Sequence, residues 1–232
     1  MHSNNEAEGE WYRKNYNQIN ASAITGGFYK KVLHTLLELP EKIYGKSNEN
    51  ISILEVGTNN GEHISYVYPK WENYLATDIR MPQPEVLNKM RKLGVCFEAA
   101  NIQNLPFESS RFDRVISTCV FHHLENPDIG FKEIRRVLKI GGSISILLPN
   151  DPGIFYRLLW NMTTVRNAKK AGIVSETREN HAREHRNNYS ELMKLLKGNF
   201  KKDEIKIIGF PFIFQSYHLN AITVIYITKV GE

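Results

Sequence analysis

The chain has 232 residues, 41% of them hydrophobic and 24% charged, and its 30 lysines and arginines outnumber its 25 aspartates and glutamates, for a formal net charge of +5. That length suits one sizeable α/β domain with an attached cap, and no apolar run approaches the ~18–20 residues of a membrane span, so stable membrane insertion is not expected. Two cysteines, Cys96 and Cys119, are too few for a disulfide scaffold or a multi-cysteine zinc site and are expected to be small buried thiols.

The opening stretch "MHSNNEAEGEWYRKNYNQ" is polar and carries acids, unlike a secretory signal or a transit peptide, and a cytoplasmic location is the expectation. Its aromatics Trp11, Tyr12 and Tyr16 suit a segment that folds over something apolar. From Phe28 the spacing of Phe28, Val32, Leu33, Leu36, Leu37 and Leu39 predicts a helix that Pro40 ends or bends, so residues 1–48 form a helical cap. "ISILEV" then predicts a first strand, followed by a helix from Gly61 to Pro69 and a second strand, "NYLATDI". "PEVLNKMRKLG" predicts a helix closed by Gly94, "VCFEAA" a third strand and "RFDRVIST" a fourth. A helix over Asp128–Leu138 buries Phe131, Ile134 and Leu138, and after the Gly141-Gly142 break "GGSISILLP" makes a fifth strand. This alternation predicts βαβ units, hence a mostly parallel sheet with helices on both faces, over residues 49–150.

Residues 151–189 are polar and irregular after "IFYRLLWNM" and read as an insertion on the sheet's C-terminal edge, facing substrate. Residues 190–232 complete the core with the helix "YSELMKLLKGNF", N-capped by Ser190, and two strands, "EIKIIGF" and "LNAITVIYITK", paired antiparallel at one edge.

The turn "EVGTNNG", Glu55 to Gly61, lies where ligands bind in such sheets, at the end of the first strand. Gly57 and Gly61 can take angles closed to other residues and let a ligand approach the main chain. Dinucleotide phosphate binding and an NAD-dependent reductase are disfavoured, because the Gly-x-Gly-x-x-Gly spacing is missing.

In this motif and those after it, the sequence resembles the class I S-adenosylmethionine-dependent methyltransferases, specifically the methyltransferase type 11-like domain. The resemblance is strong over residues 50–150 and implies a Rossmann-like, mostly parallel seven-stranded sheet with helices on both faces and an antiparallel C-terminal edge. It implies S-adenosyl-L-methionine as cofactor, held by Glu55, Gly57, Thr58, Asn59, Gly61, Asp78, Ile79, Asn101, Ile102 and Thr118. Asn59 replaces the family's middle glycine, and asparagine tolerates the left-handed conformation best after glycine. Asp78 stands where an acid accepts from both ribose hydroxyls, with Ile79 against the adenine. Asn101 replaces an aspartate that commonly holds the adenine amino group, and its carbonyl oxygen can accept the same bond.

"STCVFHHLENP" follows the fourth strand and offers His122 and His123 as catalytic bases, His123 ahead. His181 and His185, four apart, would share a helix face and are candidate substrate contacts together with Tyr12. Sequence alone supplies no third ligand beside them, so no metal is expected. The expected activity is methyl transfer to a small-molecule acceptor, a glycan or lipid-linked sugar hydroxyl being favoured. A nucleic-acid acceptor, as in a tRNA methyltransferase, is the second reading, and a non-catalytic member of the fold the third.

Overall fold

A computed structural model describes residues 15, 34–35, 37–42, 50–67 and 71–231 of the chain. Trp11, Tyr12 and Tyr16 lie outside them. The chain runs β1 (Ile51–Val56), β2 (Trp71–Asp78), α1 (Pro84–Lys92), β3 (Val95–Ala99), β4 (Phe112–Thr118), α2 (Pro127–Val137), β5 (Leu138–Pro149), α3 (Ile154–Trp160), α4 (Arg166–Ala171), α5 (Val174–Glu184), α6 (Tyr189–Asn199), β6 (Glu204–Phe210) and β7 (Ile222–Thr228). The strands form one seven-stranded sheet in the order β3-β2-β1-β4-β5-β7-β6. β7 pairs antiparallel with both β5 and β6, and every other pairing is parallel. The sheet is thus Rossmann-like and mostly parallel, and its topology reverses between β1 and β4, the position beyond whose C-terminal ends such sheets bind ligands.

Alternation along β1 divides the core. Leu54 and Val56 face a cluster in which Val115, Ile144, Ile146 and Ile225 pack against Phe131 and Ile134 of α2 and Leu192 and Leu196 of α6. Ile51 and Ile53 face the other side, with Tyr74, Ala76, Ile116 and Met90 of α1. Burying each such side chain stabilises the fold by about 1.5–3 kcal/mol. Proline at the first position starts α1 and α2, and Asn126 caps α2 by accepting from the Ile129 amide at 3.4 Å.

Several local expectations are corrected. Residues 37–42 stay helical through Pro40, so Pro40 does not end that helix. The glycine turn leads into a single 3-10 turn, Ile64–Tyr66, rather than an α-helix. Gly141 and Gly142 lie inside β5, which begins directly after α2; Gly141, at φ +79, bends the strand where its register with β4 shifts. Asn188, not Ser190, caps α6, its side chain accepting from the Glu191 amide at 3.0 Å. The stretch after β5 is helical: α3, a π-helical turn Asn161–Val165 and α4 follow one another directly, and α5 comes after Gly172 at φ +73. Thr163 Oγ1 donates to the Leu159 carbonyl at 2.6 Å and Asn161 to that of Arg157 at 2.9 Å, which satisfies carbonyls near the widened turn. Cys96 is exposed on β3, an outer strand, and so is not the buried thiol expected. No helix among the described residues is long and apolar enough to cross a membrane.

Candidate active site

The loop after β1 turns through three left-handed residues, Gly57 (φ +68), Asn59 (φ +47) and Gly61 (φ +66). Asparagine therefore adopts the conformation a glycine would supply. A Cβ on Gly57 would fall 2.2 Å from Val120 Cγ2, so close packing of the β4 loop also requires glycine there. The Thr58 amide donates to the Thr77 carbonyl at 3.0 Å and the Gly61 amide to the Thr58 carbonyl at 2.8 Å. Asp78, ending β2, closes the turn: its Oδ2 accepts from the Asn59 amide at 3.0 Å and its Oδ1 from the Arg80 amide at 2.9 Å.

These residues fit an adenosyl group. Each Asp78 oxygen takes one backbone bond and keeps a further lone pair, while the buried Thr58 Oγ1 has no partner. Ile79, 70% exposed, leaves an apolar side chain beside the carboxylate. Asn101 is exposed past the end of β3, and its Oδ1 accepts from the Gln103 amide at 2.9 Å. The Ile102 side chain belongs to the core, which leaves only its backbone to face a ligand. Thr118 is half-buried at the end of β4, and burial pushes the thiol of the next residue, Cys119, up to about 12.

Glu55 points into the protein. Tyr74 donates its hydroxyl to Glu55 Oε2 at 2.5 Å, and His63 Nδ1 lies 3.7 Å from Oε1. Burial pushes the Glu55 carboxyl up to about 7 and the His63 imidazole down to about 4. Arg114 of β4 completes the network, donating to both Glu41 oxygens at 2.6 and 2.9 Å and to Ser145 at 3.2 Å, which ties the N-terminal helical residues to the sheet. Removing one partner of such a buried pair costs about 3–5 kcal/mol. Sequence reading missed Tyr74, His63 and Arg114, since nothing local marks a polar residue whose partner lies on another strand.

Beyond β4 and β5 the fold gathers four histidines. Asn187 pins the start of α6 to the β4 loop, its amide donating to the His122 carbonyl at 3.1 Å and its side chain to that of Leu124 at 2.6 Å. His185 thereby meets His122, ring centroids 4.4 Å apart, and His181 lies 3.8 Å from His185. Asp151, in the turn just after β5, is the common partner: its Oδ2 lies 3.0 Å from His181 Nε2 and 2.9 Å from His185 Nδ1. Burial would raise the Asp151 carboxyl, but the two imidazoles outweigh it and hold it well below the carboxylate range. His185 is pushed down to about 4, by burial chiefly and against its bond to Asp151. His122, 4% exposed, is held far below the usual imidazole range by burial and the neighbouring histidines. His123 is also lowered by burial, opposed by its 2.9 Å bond from Nδ1 to the Glu184 carbonyl; 35% of its side chain is exposed, so it is the reachable member of the pair. Tyr156 and Trp160 of α3 line the far side, Trp160 with its ring 4.5 Å from His181.

The two histidine pairs, separate in the sequence, thus form one cluster. Asp151 stands beside both His181 and His185 as a third polar side chain, a neighbour that the sequence did not place there.

Residues 54–146 match the family model described as a methyltransferase domain. Among curated proteins, the ubiquinone/menaquinone biosynthesis C-methyltransferase UbiE of Haemophilus ducreyi is 30% identical over 144 residues, 58% of this chain and 52% of that protein. A tRNA U34 carboxymethyltransferase of Campylobacter curvus is 28% identical over 101 residues, 40% of this chain and 33% of that protein. The chain thus spans about a third to a half of the length of these relatives. Among solved structures, an S-adenosylmethionine-dependent methyltransferase of Thermotoga maritima, described as a possible histamine N-methyltransferase, superposes over 96% of this chain and 99% of its own with a TM-score of 0.61 at 16% identity.

Proposed function

We propose that residues 54–146, which match a methyltransferase-domain model, form a class I S-adenosylmethionine-dependent methyltransferase domain, and that the chain methylates a hydroxyl of a small-molecule acceptor, a glycan or lipid-linked sugar. The observation that carries the cofactor half is the left-handed turn Gly57–Asn59–Gly61 fastened to Asp78. In this reading Asp78 accepts from the ribose hydroxyls, Ile79 covers the adenine, Asn101 and the Ile102 backbone hold its edge, and the Gly57–Gly61 turn borders the amino-acid end. Thr118 borders the reacting space, and Glu55 acts indirectly, as the buried anchor of the turn.

S-adenosylmethionine supplies an electrophilic methyl carbon on a sulfonium. The residues of this chain then have three tasks: to align the acceptor, exclude water and take a proton. His123 suits the last. Its Nδ1 faces a carbonyl, which only accepts, so that nitrogen carries the hydrogen and Nε2 presents a lone pair. His123 Nε2 would take the acceptor's proton as the acceptor oxygen gains the methyl group and the methyl–sulfur bond breaks to leave a neutral thioether. His122 backs this ring at 3.9 Å, and His181 and His185 stand at the acceptor's side. Residues 151–189 serve as the acceptor-facing layer, and Tyr12 remains a candidate contact by its sequence alone.

Exposed apolar side chains support an acceptor with a lipid tail. Ile154, Leu158 and Met162 follow one another at helical spacing, and Phe212, Ile213 and Phe214 extend the loop between β6 and β7; all six are at least 45% exposed. The Phe155 amide, donating to the His218 carbonyl at 3.0 Å, joins that loop to α3. The cations Arg166, Lys169 and Lys170 on α4, with the tRNA-directed relative, favour RNA as a second reading.

The test is transfer of labelled methyl groups to polyprenyl-linked sugars, free glycosides and bulk tRNA at low and high salt. Salt-insensitive label in a sugar fraction is expected. Label only in tRNA, falling steeply with salt, would replace this reading by the second. No transfer to any acceptor would favour a non-catalytic member of the fold.

A further inference from the structure

We propose that Asp151, His181 and His185 bind one divalent transition-metal ion, of the zinc type, in the histidine cluster. Two imidazoles and a carboxylate are a ligand set that zinc and its first-row neighbours accept while keeping positions open. One ligating atom from each residue lies within 4.8 Å of the other two. The two short separations, 2.9 and 3.0 Å, are close to the roughly 3.0–3.4 Å between neighbouring ligands on an ion with bonds of about 2.1 Å.

Hydrogen bonding alone uses the cluster poorly. Both imidazoles address the same carboxylate oxygen, while Asp151 Oδ1, buried, accepts no hydrogen bond and has Arg157 Nε 3.9 Å away. His122 Nδ1 is buried without a partner, in a ring tilted 55° to that of His185 with centroids 4.4 Å apart. A cation would draw the two imidazole lone pairs and the carboxylate to one point, with His122 beside it as a further nitrogen. The three side chains keep 11–18% exposure, so an ion can enter and still meet a ligand from outside. One helix supplies two ligands: His181 lies in the last turn of α5 and His185 caps it, while Asp151 comes from the turn just after β5, so the ion would fasten the helical layer to the end of the sheet. Only the use of the ion, to hold the acceptor's oxygens, rests on the methyl-transfer reading. The binding itself does not.

The test titrates the tag-free, EDTA-stripped full-length chain with zinc chloride by calorimetry and with cobalt(II) by visible absorption, with S-adenosylhomocysteine affinity measured on the same samples. One zinc per chain at micromolar or tighter affinity is expected, with cobalt d–d bands of a nitrogen and oxygen site. Asp151→Asn and His181→Gln should each weaken zinc at least 100-fold, and His123→Gln less than tenfold. A wild-type chain that takes up no stoichiometric zinc and gives no cobalt bands would overturn the site without recourse to any variant, as would undiminished binding in both ligand variants. Zinc failing while S-adenosylhomocysteine binds removes the site and leaves the methyl-transfer reading. Zinc bound while S-adenosylhomocysteine is not removes that reading and leaves the site.

Discussion

Asn59 holds its backbone at φ +47 between two left-handed glycines, with its amide committed to Asp78. A branched residue meets its own carbonyl there at a cost of about 1–2 kcal/mol, whereas glycine meets none. Denaturant melts should therefore show Asn59→Gly within about 0.5 kcal/mol of wild type and Asn59→Val destabilised by about 1–2 kcal/mol. The conformation of this residue was legible in the sequence, because few residue types tolerate it and the flanking glycines mark the turn. The role of Asp151 was not. A lone aspartate before Pro152 and Gly153 looks like a turn residue until the fold brings His181 and His185, thirty and more positions away, against it.

At the scale of elements, the strands and the helices between them could be read from the chain because each buries a face whose period is visible. The layer between β5 and α6 could not, for a physical reason. α5 buries only Thr177, so its sequence, "VSETRENHARE", shows polarity on nearly every side and no apolar stripe. Its helicity rests on residues of good intrinsic propensity and on its ends, where Gly172 breaks the preceding helix and His185 is tied down through Asn187. The restart of the chain at α6 depends on Asn188. Asn188→Ala should cost about 1 kcal/mol in chemical denaturation, while Ser190→Ala, inside the helix, should cost little.

Across the whole molecule, one sheet separates an apolar cluster under α2 and α6 from a face where Glu55, His63, Tyr74 and the Arg114–Glu41 pair are buried together. The cofactor turn rests above that face, so its anchoring couples to pH. Glu55, raised to about 7 in the folded chain, contributes stability that is complete below pH 4.5 and is lost as pH rises through 7. His63, lowered to about 4, has the opposite sign: its contribution is present above pH 6.5 and is lost as pH falls toward 4. The two slopes oppose each other over nearly the same window. Glu55→Gln removes the first alone, so its stability relative to wild type should rise by about 2 kcal/mol between pH 5 and pH 7.5, measured by urea denaturation without ligand. Cofactor binding where the sheet reverses depends on Asp78. Calorimetry of the wild-type chain and Asp78→Ala with S-adenosylhomocysteine tests that most directly. Saturable one-to-one binding by wild type, weakened at least tenfold in a variant that still melts cooperatively, is the predicted result; equal affinity in both proteins, or no binding by wild type at millimolar ligand, would contradict it.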